Sequence, residues 1–94
     1  MYPEILEVAK RLKNKGIDFD LEEWEDGYCI SIDNGYNQEM QAYQYNGSYL
    51  SELGLLEIIV YNNAYDYKTY ADVEYTVNLI ENFVNQEGWN WLKF

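Results

Sequence analysis

The sequence contains no histidine, a single cysteine and a single proline, and no lysine or arginine from residue 16 to residue 67. Without histidine, the chain lacks the most common general base and metal ligand. Cys29 has no second thiol with which to form a disulfide inside the chain, which is typical of a reducing cytoplasm. No apolar run approaches the length of a membrane span, and Pro3, Glu4 and Glu7 interrupt the start. We therefore expect no signal peptide and no transmembrane segment.

The residue patterns of the common catalytic sites are missing too. There is no glycine-rich phosphate-binding loop and no nucleophile elbow. Cys29 falls in a predicted strand without a basic neighbour, so we interpret it as an inert thiol. Asp18 and Asp20 lie two residues apart on a predicted exposed strand face, which lacks the desolvation that general acid–base catalysis needs. The sequence therefore predicts a protein that is not an enzyme and uses no cofactor.

Acidic residues dominate the segment that has no basic residue. The whole chain has 17 acidic and 6 basic residues and a formal net charge of -11. Its 48% hydrophobic and 18% aromatic content is too high for a disordered acidic tail, so the charge belongs to a folded surface. Such a surface repels nucleic acids and anionic membranes and favours basic proteins as partners. The carboxylates of the segment are Asp18, Asp20, Glu22, Glu23, Glu25, Asp26, Asp33, Glu39, Glu52, Glu57 and Asp66.

Apolar periodicity predicts a helix near each end of the chain. Residues 1–15 show an apolar stripe at helical spacing, with acids at the start, bases at the end and Gly16 as a left-handed stop. Residues 70–87 show a second stripe, with Thr69 and Asp72 predicted to form a capping box at its start and Gly88 to end it. We expect the aromatic tail, residues 89–94, to dock back onto the domain.

Between these helices the sequence alternates with the period of β-strands. In residues 17–22 the odd-numbered positions are apolar and predicted to face the core, whereas the even-numbered positions are carboxylates predicted to face solvent. Near Trp24 the alternation breaks, which predicts either a bulge or the end of the strand. The predicted fold is one α+β domain, residues 1–94, in which an antiparallel meander of three to four strands packs with an N-terminal and a C-terminal helix. The remaining predicted elements are a turn at 25–27, a strand at 28–32, an Asn34-Gly35 hairpin, a strand at about 36–45, a helical turn at 48–53, a fourth strand or buried extended run at 55–61 and a loop at 62–68.

A calcium site is one alternative for the acidic segment. Asp18, Asp20 and Glu22 have the spacing with which a calcium-binding loop begins. However, Glu23 stands where such a loop needs its turn glycine, and the alternation with apolar residues suits a strand better. The pattern therefore favours a solvated strand face, and we predict no metal site.

Tyrosines interleaved with carboxylates are the remaining group of residues that could form a binding surface. Tyrosine offers rigid contact area with a polar tip and is enriched among interface anchors. Carboxylates along a twisted strand can take positions like those of phosphates, and so occupy a groove of Lys and Arg side chains meant for nucleic acid. The alternative is an acidic surface that only confers solubility, although ordinary solvated surfaces intersperse both signs. The interleaved residues are Glu39, Tyr43, Tyr45, Tyr49, Glu57, Tyr61, Tyr65, Asp66 and Tyr67.

In format the chain resembles the small acidic phage-encoded inhibitors, among them anti-CRISPR proteins that mimic DNA to block a CRISPR nuclease. The resemblance rests on the acids of residues 17–33, the Asn34-Gly35 hairpin and the helix after Thr69, in a chain of 94 residues. It implies a non-enzymatic inhibitor in the cytoplasm of a bacterial host, with a CRISPR effector or another basic nucleic-acid-binding protein as its partner. Bacterial immunity proteins that neutralise nuclease toxins share this format and are an alternative.

The residues predicted to bind such a partner form two groups, an acidic strand region and an adjoining tyrosine loop. We expect no direct binding to nucleic acid or membrane, and a monomer or small homo-oligomer. A hypothesis from another class is a self-associating structural module that uses Trp89, Trp91 and Phe94 as its interface. The predicted partner-binding residues are Asp18, Asp20, Glu22, Glu23, Glu25, Asp26 and Asp33 in the first group and Tyr65, Asp66 and Tyr67 in the second.

Overall fold

The chain forms three helices and five strands in the part that the computed structural model describes, which comprises residues 3–33, 38–61 and 66–85. The elements in chain order are α1 (Glu4–Asn14), β1 (Asp20–Trp24), β2 (Gly27–Asp33), β3 (Glu39–Tyr45), α2 (Tyr49–Glu52), β4 (Leu56–Tyr61), β5 (Tyr67–Ala71) and α3 (Val73–Asn85).

The strands form one antiparallel sheet in the order β1-β2-β3-β4-β5, so that each strand pairs with its neighbours along the chain. Because successive side chains of a strand point to opposite sides, the register divides the residues into two faces. One face packs against α1 and α3. The other is called the open face below, and it carries Asp20, Glu22, Trp24, Gly27, Cys29, Ser31, Asp33, Glu39, Gln41, Tyr43, Tyr45, Glu57, Ile59, Tyr61, Lys68 and Tyr70.

The apolar core lies between the sheet and the two long helices. α1 presents Ile5, Val8 and Leu12 to it at helical spacing, and α3 presents Val77, Ile80 and Phe83. Alternate residues of the central strands complete the same buried cluster, as their period of two predicts. These strand residues are Ile30, Ile32, Met40, Ala42, Leu56, Ile58 and Val60.

Gln44 of β3 stabilises the start of α1 from across the core. Pro3 precedes the helix and makes no side-chain capping bond. Gln44 is buried, with 3% of its surface exposed. Its carboxamide oxygen accepts the Ile5 amide N–H at 3.0 Å, and its Nε2 donates to a Glu4 carboxylate oxygen at 2.7 Å. A helix start leaves its first amides without intrahelical partners, so Gln44 takes the role of a remote cap. At the other end the chain leaves the helix through Gly16, whose φ is 73°, as predicted.

The predicted fold class is confirmed, with one strand more than predicted. The additional strand is β5, and it overturns the prediction that residues 62–68 form a loop throughout and that the last helix starts near Tyr70. Aromatic and β-branched residues fit a pleated surface, and the apolar β4 offers a partner strand for them. Asp72 is consequently the cap of α3 rather than the third residue of a capping box, because its Oδ1 accepts the Tyr75 amide N–H at 2.8 Å.

The first strand also differs from its prediction. The segment before β1 does turn Ile17 and Phe19 towards the core, but Leu21 remains 45% exposed. β1 is an edge strand, and α1 and α3 pack mainly against β2 to β5, so the helix side of β1 has little cover. Of the two alternatives predicted near Trp24, the structure has the strand end and no bulge, since β1 pairs regularly with β2 up to Trp24.

The elements between β1 and β5 lie where the sequence predicts them. β2, β3 and β4 occupy the predicted strand regions. α2 is the predicted helical turn: the Ser48 Oγ accepts the Ser51 amide N–H at 3.1 Å, and Gly54 follows with a φ of 74°.

Several predicted features lie outside the described residues. They are the Asn34-Gly35 hairpin, Tyr65, the helix end at Gly88 and the aromatic tail at 89–94. Among the helices of the described ranges, none has the length and apolar character needed to cross a membrane.

Candidate protein-binding surface

Seven of the predicted partner-binding carboxylates lie along or beside the edge strand β1, and all seven are exposed. They are called the acidic edge below. β1 pairs with β2 on one side only, so its other side meets no strand in the described sheet. The acidic edge consists of Asp18, Asp20, Glu22, Glu23, Glu25, Asp26 and Asp33.

The acidic edge wraps around β1 instead of occupying one face. Asp20 and Glu22 belong to the open face, as predicted, whereas Glu23 lies on the helix side of the strand. Glu25 and Asp26 form the turn between β1 and β2. The surface is therefore a negatively charged rim that can be approached from both sides and from the end.

One end of the acidic edge contains a shallow recess of about 220 Å³. Asp18 and Asp20 line it from the β1 side, and Asp33 lines it from the end of β2. Despite this proximity, the described residues contain no group of three or more His, Cys, Asp or Glu side chains arranged to hold a metal ion. A neighbouring recess of about 370 Å³ brings Asp18 and Asp33 near Lys15.

Most basic residues of the described ranges lie on α1, and Lys15 at its C-terminal cap is the one that shares a recess with Asp18 and Asp33 of the acidic edge. Lys10, Arg11, Lys13 and Lys15 all belong to α1 or its C-terminal cap. The ion pairs among the described residues are Glu7–Arg11 at 3.0 Å, Lys15–Glu81 at 3.3 Å and Glu57–Lys68 at 3.8 Å. Within those residues, none of the acids from Asp18 to Asp26 forms an ion pair. The stretch from Asp20 to Asp26 is thus a negative surface without local compensation.

The predicted tyrosine loop does not adjoin this surface. Asp66 and Tyr67 lie at β5, the edge of the sheet opposite to β1, and four strand spacings place the two edges about 19 Å apart. Tyr67 is also not a loop residue, because it is half-buried and packs against the core from β5. Asp66 is exposed, and Tyr65 is outside the described residues.

An aromatic cluster on the open face was not among the predicted binding residues, although two of its tyrosines belong to the interleaved set. Trp24 of β1 lies 6.2 Å from Tyr43 and 5.7 Å from Tyr45, measured between ring centroids, and the two tyrosine rings are 5.6 Å apart in an edge-to-face arrangement. These distances are typical of favourable aromatic pairs. The name aromatic cluster is used below for Trp24, Tyr43 and Tyr45.

Carboxylates hold two rings of the aromatic cluster by hydrogen bonds. The Trp24 indole N–H donates to Glu22, and the Tyr43 hydroxyl is hydrogen-bonded to Glu57, its cross-strand neighbour on β4. Burial, together with this hydrogen bond and the Glu57 charge, raises the pKa of Tyr43 well above its usual range. The hydroxyl therefore stays protonated, and donates to Glu57, up to a higher pH than an ordinary tyrosine would.

Cys29 lies beside the aromatic cluster on the open face but offers little reactivity. Its side chain is buried, and it pairs with Tyr43 in the register. Burial and, to a lesser extent, the charges of Glu22 and Glu39 raise the pKa of the thiol. A thiol that stays protonated is a poor nucleophile, which accords with the interpretation of Cys29 as an inert residue.

Comparison with known proteins gives no further assignment. No protein-family model, no curated protein and no solved structure matches the chain.

Proposed function

We propose that the protein is a non-enzymatic inhibitor that binds the basic, nucleic-acid-binding cleft of a partner protein through its acidic edge. The observation that carries the proposal is the uncompensated run of exposed carboxylates from Asp20 to Asp26 on an edge strand and its turn. A phage inhibitor of the anti-CRISPR type, acting in the bacterial cytoplasm, is the form of this function that the chain resembles.

The position of the carboxylates suits insertion into a groove. Edge strand β1 and its turn form a rim, and a rim can enter a cleft that a flat surface cannot. A cleft lined by Lys and Arg side chains attracts such a rim at long range and accelerates the encounter. The same contacts weaken as salt screens the charges, with a Debye length of about 8 Å at physiological ionic strength.

The distribution of charge supports binding over mere solubility. A surface that serves solubility intersperses both signs. In this protein the basic residues of the described ranges lie on α1, at its C-terminal cap and at Lys68 of β5, whereas the charged residues of β1 and its turn are all acidic. Self-repulsion among neighbouring carboxylates opposes folding, so their accumulation is a cost that a cationic partner relieves on binding.

Affinity capture with charge-matched variants tests the proposal. The tagged protein is incubated with lysate of a bacterium that carries CRISPR–Cas and other nucleases, and the captured proteins are identified by mass spectrometry. The variant Asp20→Lys/Glu23→Lys reverses two exposed acids of the acidic edge. The matched control Glu52→Lys/Glu74→Lys makes the same change in net charge at exposed positions of α2 and α3.

We expect wild type and the control to capture a nucleic-acid-binding protein that the Asp20→Lys/Glu23→Lys variant loses. Capture of that protein should also fall steeply between about 50 and 200 mM salt, as contacts to charged groups do. Equal loss in both variants would mean that only net charge matters, and undiminished capture by Asp20→Lys/Glu23→Lys would refute the role of the acidic edge.

A further inference from the structure

The open face of the sheet is also strongly acidic, and it shares Asp20, Glu22 and Asp33 with the acidic edge. Its described residues include five carboxylates and one basic residue, Lys68. Like-charge repulsion therefore opposes the packing of a second copy of this chain on the same face. A cationic partner meets no such repulsion. The acids are Asp20, Glu22, Asp33, Glu39 and Glu57.

The aromatic cluster lies on this face above a residue that has no side chain. Gly27 stands in the register between Trp24 on β1 and Tyr45 on β3, so the two rings approach each other over bare backbone. No larger residue is accommodated there, because an added Cβ would overlap the Gln44 carbonyl oxygen and lie 3.0 Å from the Tyr45 Cα. Glycine in a strand often marks such a close approach. Tyr45 keeps 38% of its surface exposed and presents a ring to solvent.

Carboxylates bracket the aromatic cluster on both sides. The register forms one transverse row in which Glu22, Cys29, Tyr43 and Glu57 follow each other across β1 to β4. Three strand spacings put the backbone positions of Glu22 and Glu57 about 14 Å apart, with Tyr43 between them. The buried Cys29 lies between Glu22 and Tyr43 in this row. Both carboxylates have partners on this face: Glu22 accepts the Trp24 indole N–H, and Glu57 is hydrogen-bonded to Tyr43 and lies 3.8 Å from the Lys68 ammonium. A cation on the rings would share these carboxylates with those partners.

This arrangement matches the chemistry of an arginine side chain. A guanidinium group is planar, stacks on aromatic rings, is weakly hydrated and forms paired hydrogen bonds with a carboxylate. A lysine ammonium is a compact, strongly hydrated point charge and exploits the rings less well. The difference is one of degree, since a lysine also lies over a ring on this face: the Lys68 Nζ is 5.9 Å from the centroid of Tyr70.

We infer that the aromatic cluster, with Glu22 and Glu57, is an anchor for arginine side chains of the protein partner and makes the surface selective for arginine over lysine. The inference rests on the proposed function and names the group that the surface recognises. The acidic edge attracts lysine and arginine side chains equally, whereas the aromatic cluster binds arginine more strongly than lysine.

Binding of two peptides of equal charge tests the inference without knowledge of the partner. Fluorescently labelled nona-arginine and nona-lysine are titrated with the full protein in about 50 mM salt, and anisotropy gives both dissociation constants. We expect nona-arginine to bind about two- to threefold more tightly, which is part of what one exposed cation–π contact provides. The variant Tyr45→Leu keeps apolar bulk but removes the most exposed ring of the aromatic cluster, so it should reduce the preference for arginine and weaken nona-arginine binding more than nona-lysine binding.

The matched control is Tyr49→Leu, because Tyr49 is 73% exposed on α2 and lies outside the open face. This control should keep the preference for arginine, and thermal unfolding of each variant verifies that it is folded. Equal binding of the two peptides, or an unchanged preference in Tyr45→Leu, would overturn the inference. If both peptides then bind wild type but not Asp20→Lys/Glu23→Lys, the proposed function stands without the arginine anchor. If neither peptide binds, the inference is overturned and the acidic edge lacks the affinity for cations that the proposed function requires.

Discussion

Replacement of Gly27 by alanine tests how the aromatic cluster is built. The Gly27 backbone does not need a positive φ, so any cost of alanine comes from space. The added Cβ would overlap the Gln44 carbonyl oxygen and stand 3.0 Å from the Tyr45 Cα. Both obstacles are backbone, so β2 and β3 must separate locally. Overpacking of this kind costs about 2–3 kcal/mol, towards the upper end of its usual range.

At about 4–8 °C per kcal/mol for a domain of this size, Gly27→Ala should lower the Tm by about 10–20 °C. Far-UV circular dichroism during heating measures this shift, and the near-UV spectrum reports the environment of the rings of Trp24, Tyr43 and Tyr45. The control is Gly47→Ala, where a φ of 73° makes alanine unfavourable but no atom lies within 4 Å of the new Cβ. Gly47→Ala should lose stability through its left-handed backbone and leave the near-UV spectrum intact. A Gly27→Ala protein with wild-type Tm and wild-type near-UV spectrum would refute the packing described for this face.

Two further predictions concern polar groups. Gln44→Met should lower the free energy of unfolding, measured in urea, by about 2–4 kcal/mol, because it removes the hydrogen bonds to Ile5 and Glu4 and leaves a buried amide unsatisfied. The control Gln41→Met, on the open face of the same strand, should lower it by less than about 1 kcal/mol. Equal losses in the two variants would contradict the capping role of Gln44. Tyr43 has a raised pKa in the folded protein, so above about pH 10 the unfolded state releases this proton first and the free energy of unfolding falls as pH rises. Tyr43→Phe should show a shallower loss between pH 9 and 11, and identical slopes for both proteins would contradict the assignment.

The helices and the central strands could be predicted because their residues obey one strong period each. The apolar stripe of α1, its terminal charges and Gly16 agree with one another, and the alternation in β2 leaves a single choice of buried face. Asp20 and Glu22 were predicted on the solvent side of β1 for the same reason, and the register confirms them there.

β5 was not predicted because the local sequence favours a helix start at this point, whereas pairing with β4 makes the segment a strand. Thr69 and Asp72 have the spacing of a helix start, and local sequence cannot show that β4 needs a partner on its free side. The exposure of Leu21 has the same kind of cause, since it depends on how far α1 and α3 extend over the sheet.

The aromatic cluster depends on the register between β1, β2 and β3, which the sequence of each strand taken alone does not predict. Tyr43 and Tyr45 alternate with the buried Ala42 and Gln44, so their common face follows from the sequence. Their contact with Trp24 follows only once Gly27 is known to lie between β1 and β3 in the register. A glycine flanked by aromatic residues on adjacent predicted strands is the signal that could have indicated it.

The central claim is that the acidic edge occupies a site meant for nucleic acid. Its most direct test is displacement of a labelled oligonucleotide from the partner identified by capture, measured by anisotropy at fixed salt. Wild type and Glu52→Lys/Glu74→Lys should displace the oligonucleotide competitively, and Asp20→Lys/Glu23→Lys should require at least about tenfold higher concentration, which corresponds to about 1.4 kcal/mol. Simultaneous binding of the protein and the oligonucleotide to the partner would contradict the account.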